Sequence, residues 1–86
     1  LNDKAYVTTF EKTGKLQILL LESGRVEAAI PTGSGACHPM FGPDKKTIYV
    51  CNQFENTVSE IDPVNHKVLR TVKVLREPPV FSKVVT

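Results

Sequence analysis

Tryptophan is absent from this 86-residue chain, methionine occurs once and cysteine twice. Two cysteines are too few for a disulfide-dense scaffold. No run approaches the roughly 18–20 unbroken apolar residues of a transmembrane helix, so no membrane span is expected. A dominant charge is also missing: eleven Lys and Arg against nine Asp and Glu leave a net +2. That balance argues against nucleic acid as a partner held by bulk charge. With 41% hydrophobic residues the chain is too apolar for a disordered segment. The opening Leu1-Asn2-Asp3-Lys4 has no basic region leading into an apolar stretch, so it does not read as a signal peptide.

Short strands divided by turn signals fill the sequence instead. Lys4 to Phe10 is rich in β-branched and aromatic residues, which suit a pleated surface. Leu16 to Leu21 is strongly apolar and runs straight into Ser23-Gly24, a hairpin signal, so it reads as a strand rather than the start of a helix. Residues 25–31 alternate, with Val26, Ala28 and Ile30 on one face, until Pro31 removes a ladder donor. Gly33-Ser34-Gly35 is a loop. It lacks the Lys-Ser/Thr pair and helix of a phosphate-binding loop and reads as a connector. Further strands are expected over 38–42, 47–52, 57–61, 67–75 and 80–86. They are separated by turns at Pro43 to Lys46, Asp62 to His66 and Pro78-Pro79. Eight short strands and no convincing helix give an all-β fold.

The strands also repeat. Tyr6-Val7 recurs as Tyr49-Val50, Gly24-Arg25-Val26 as His66-Lys67-Val68, and Ile30 as Val72. The offset of 42 or 43 residues, holding four strands, is the size of a propeller blade. The segment from Phe41 through Pro43-Asp44-Lys45-Lys46 and Tyr49-Val50-Cys51-Asn52, then Asn56 to Asp62 and Lys67 to Val72, resembles the YVTN-type β-propeller repeat. Three positions depart from that pattern. Lys45 stands for the turn glycine, so the turn should avoid positive φ or bear some strain. Glu60 stands for an apolar residue and must reach solvent, an edge or a basic partner. His66 stands for the hairpin glycine, which leaves Asn65 as the expected left-handed residue.

The resemblance implies an incomplete first blade (1–35), a complete second blade (36–77) and the first strand of another (78–86). Such a chain would be part of a larger propeller, and its opening and closing on strands suggest an excised segment. Tyr6 and Tyr49 should then hold equivalent positions. The function implied is a non-catalytic structural or binding scaffold in an extracytoplasmic protein, with protein, glycan or small molecule as ligand. Its partners would be the remaining blades or identical copies, as a homo-oligomer. The alternative is a fragment of a propeller enzyme, haem/quinone oxidoreductase-like or lactonase-like, whose site needs the missing blades.

No catalytic arrangement can be argued from the residues, and no cofactor is assigned. The one candidate cluster is Cys37, His38 and Cys51. Pairing strands 38–42 and 47–52 across their turn puts Cys51 opposite Cys37 or His38. Cys51 is read first as a small core thiol. A Cys37–Cys51 disulfide and a soft-metal or haem ligand role for His38 remain open beside it. Without a CxxCH, covalent c-type haem attachment is excluded within this segment. His66 is expected to be solvated in an outer turn. Asp62 is read as a turn former, and Arg70, Lys73 and Arg76 as a charged outer edge.

Overall fold

The computed structural model describes residues 3–74. Seven strands run through them: β1 (Lys4–Thr8), β2 (Lys15–Leu20), β3 (Val26–Pro31), β4 (Ala36–Phe41), β5 (Ile48–Asn52), β6 (Thr57–Asp62) and β7 (Lys67–Lys73). They form two antiparallel sheets in simple sequential order, β1-β2-β3 and β4-β5-β6-β7. The all-β expectation holds, and Leu16 to Leu20 is strand rather than helix. The strand expected over 80–86 lies outside the described residues, as does Arg76.

Tertiary demands move several boundaries. β1 stops at Thr8 rather than Phe10, because Phe10 leaves the ladder to pack its ring 4.8 Å from that of Phe54. β4 begins at Ala36 rather than at His38. Ala36 is fully buried and pairs with Asn52, which extends the ladder two residues upstream. His38 therefore does not head a strand. It sits with φ 50° where the register shifts between Cys37 and Met40.

Asp44 and Asp62 build their turns as their positions suggest. The Asp44 carboxylate accepts from the backbone N–H groups of Lys46 and Thr47, and Asp62 accepts from those of Val64 and Asn65. These bonds hold both carboxyls below their ordinary range, led for Asp44 by the Lys46 N–H and for Asp62 by the Asn65 side-chain amide. Lys45 takes the strained option, with φ 59°. The left-handed residue of the β6–β7 turn is His66, also at φ 59°, and not Asn65, whose amide instead donates to Asp62. Glu60 finds the basic partner that it requires: Arg70 stands directly opposite and donates Nε–H to it at 2.7 Å.

The pairing repeats from one sheet to the other. The cross-strand row Tyr6–Ile18–Ala28 corresponds to Tyr49–Glu60–Arg70, and the row Thr8–Leu16–Ile30 corresponds to Cys51–Val58–Val72. In both rows the steps are 43, 42 and 42 residues along the chain. The register shift between Ile18 and Leu19 recurs between Glu60 and Ile61, and the left-handed Gly24 recurs as the left-handed His66. Tyr6 and Tyr49 thus hold the same place in their sheets.

The core lies between the sheets: Leu16, Ile18 and Ile30 from the first pack with Ala36, Ile48, Val50 and Ile61 from the second. The faces they use differ. The first sheet is covered on the face carrying Tyr6, Thr8, Leu16 and Ile30. In the second sheet the corresponding face, with Tyr49, Cys51, Val58 and Val72, is turned outward. Cys51 is accordingly exposed, which corrects its reading as a core thiol: its strand is covered on one face rather than two.

Candidate functional site

Loops from both sheets gather at one end of the molecule. The connector of residues 32–35 is bonded on both sides. Thr32 N–H donates to Gly14 and Gly35 N–H to Glu11 in the β1–β2 loop, while Gln53 and Phe54 donate back to Gly35 and Ser34. Gly35 has φ 76°, and a Cβ there would lie 2.6 Å from the Phe54 nitrogen, so the connector needs glycine at this point. Glu55 accepts from the Ser34 N–H and from the Thr57 hydroxyl, and these bonds, Ser34 first, hold its carboxyl low.

Asn52 closes the same end from inside. It is fully buried, and its amide donates to Thr57 Oγ1 at 3.0 Å and to Ser59 Oγ at 2.9 Å. Ser59, also fully buried, donates to the Thr32 carbonyl and so ties the second sheet to the connector. Asn52 Oδ1 is buried and has no hydrogen-bond partner among the described residues. Nothing in residue type alone marks Asn52 for this role. The available signal was its place at the end of Tyr49-Val50-Cys51-Asn52, just before Asn56-Thr57-Val58-Ser59.

Beside this buried network opens a cleft of about 290 Å³ whose lining includes Cys37, His38, Cys51, Gln53, Val58 and Val74. The structure brings all three members of the candidate cluster to its wall. Cys37 and Cys51 are direct cross-strand partners, and both are free thiols. The Cys37 thiol lies 3.6 Å from Gln53 Oε1. Burial pushes the Cys37 thiol pKa up, and the neighbouring Cys51 adds to the effect. Among the described residues, no three His, Cys, Asp or Glu side chains are grouped so as to hold a metal ion.

A second cluster was not visible in the sequence. Glu27 lies 3.0 Å from Lys4 Nζ and 3.0 Å from His66 Nε2, so it bridges the first sheet to the last turn of the second. Lys4 first, and then His66, hold the Glu27 carboxyl below its ordinary value. His66 is exposed, as expected, and also reaches across the sheets to Glu27. Glu27 is displaced by the irregular register of β3, since Leu19 pairs with Val26 and Ile18 with Ala28. A bulged residue is re-aimed relative to its neighbours, which periodicity alone does not show. Arg70 and Lys73 lie exposed on the outer strand as expected.

Compared with family models and with curated proteins, the chain matches none.

Proposed function

We propose that the two sheets are consecutive blades of a YVTN-type β-propeller, and that the chain is a non-catalytic scaffold presenting its loop end to a protein, glycan or small-molecule ligand. The observation that carries this reading is the repeat of register, bulge and turn between the sheets. A translation along the chain that carries one sheet onto the next, and not merely a likeness of composition, is what stacked repeats require. The left-handed Lys45 and His66 add support, because they occupy the two places where the YVTN pattern has glycine. The extracytoplasmic setting rests on that resemblance alone.

The repeat also supports a role for the outward face of the second sheet. Its equivalent in the first sheet seats the second, so the row Cys51–Val58–Val72 presents a seat for a further unit. Met40 and Val72 lie open on that sheet, 59% and 47% exposed. The occupant is another blade, of a parent propeller or of an identical copy in a head-to-tail contact. Light scattering of the 86-residue chain tests this. Association is expected, and Val58→Lys should abolish it. A well-folded monomer of the unaltered chain at micromolar concentration would overturn the reading.

A further inference from the structure

We propose that Cys37 and Cys51 form an oxidisable dithiol, a modification site that a low-molecular-weight disulfide converts into a cross-strand bridge between β4 and β5. The argument starts from register. Residues directly opposed in an antiparallel ladder have Cα atoms about 4.5–5.5 Å apart. Disulfides need about 4.4–6.8 Å, so the register places this pair within bridging range. Both side chains leave the same face, and both line the cleft, where a small oxidant can reach them.

The two thiols are not equivalent. Cys51 is exposed, whereas Cys37 is half-buried and its thiol holds its proton more tightly. Cys51 is therefore the entry point. Its thiolate attacks one sulfur of the small disulfide, a mixed disulfide forms on Cys51, and the first small thiolate leaves. Cys37 thiolate then attacks the Cys51 sulfur. The mixed bond breaks, the Cys37–Cys51 bond forms and a second small thiolate leaves. The dithiol is oxidised by two electrons, the small disulfide is reduced to two thiols, and the two cysteine protons end on them. Cys51 corresponds to Thr8, which stays partly exposed beneath the second sheet, so a further unit on this face would leave the thiol reachable. The inference depends on the second sheet alone and stands or falls separately from the propeller reading.

The test is incubation of the 86-residue chain with oxidised glutathione, followed by acid quenching and mass spectrometry. The expected product is a single chain with no interchain disulfide, lighter by two hydrogens, free of glutathione and without titratable thiol. Ring closure should be at least several-fold slower in concentrated guanidinium, where the register is lost. Cys37→Ser should leave glutathione trapped on Cys51, and Cys51→Ser should be modified more slowly at Cys37. Stable glutathione adducts on the unaltered chain, bridges between chains, or closure equally fast in the unfolded chain would each overturn the proposal.

Discussion

Replacing Asn52 by alanine should cost the protein about 2 kcal/mol. The figure follows from the side chain's surroundings. Two donated hydrogen bonds are lost, to Thr57 and to Ser59, each contributing about 1 kcal/mol net. A small cavity opens at a fully buried position and adds to the loss. Against this, the unpartnered Oδ1 disappears, which returns about 1 kcal/mol of desolvation. The hydroxyl partners are not orphaned, because Thr57 still donates to Glu55 and Ser59 to the Thr32 carbonyl. For a domain of this size, 2 kcal/mol lowers the melting temperature by roughly 8–16 °C. Urea and thermal unfolding followed by far-ultraviolet circular dichroism measure it. A double-mutant cycle with Ser59→Ala isolates the shared bond, and a coupling of about 0.5 kcal/mol or more is expected. A loss under about 0.5 kcal/mol for Asn52→Ala, or strict additivity in the cycle, would refute the reasoning.

Two other perturbations have signs fixed by the structure. Lys45→Gly relieves a left-handed residue that costs about 1–2 kcal/mol, less about 0.5–1 kcal/mol for the added freedom of the unfolded chain. It should raise the urea midpoint, whereas His66→Gly should gain less because it also removes the bond to Glu27. In acid, the depressed carboxyls of Glu27, Asp44, Glu55 and Asp62 stabilise the fold fully above their unfolded values, near pH 4 to 4.5. That contribution is lost as pH falls through their lower folded values. Stability measured against pH should therefore decline as pH falls below about 4, and Asp62→Asn should make the decline shallower.

Strand identity was legible because Gly, Pro and Asp-based turns punctuate this chain at short intervals, and turn chemistry is local. The Tyr6 and Tyr49 equivalence was legible because it is a matter of spacing. What failed was whatever depended on which face meets a neighbour. Cys51 alternates correctly with Val50, but alternation does not say that its face is open. Asn65 is the better left-handed residue by propensity, and His66 took the position because the repeat places it where Gly24 stands. Phe10 has every local reason to extend β1, and its contact with Phe54 lies far away in sequence. The Lys4–Glu27–His66 cluster joins three distant positions through a bulge, so no window of the sequence contains it.

The sequential strand order has a kinetic consequence. Every pairing among the described residues closes a short hairpin, the widest joining Lys4 to Leu20, Lys15 to Pro31, Ala36 to Asn52 and Thr57 to Lys73. Loop closure of this kind costs little entropy, so each hairpin can form early. During synthesis the first sheet can zip up before Ala36 has emerged. It cannot bury Leu16, Ile18 and Ile30 until β5 and β6 arrive with Ile48, Val50 and Ile61. The nascent chain thus passes through an interval in which a formed sheet shows a bare apolar face. That interval, rather than the pairing of any strand, is when the chain is most open to aggregation and to capture by a chaperone.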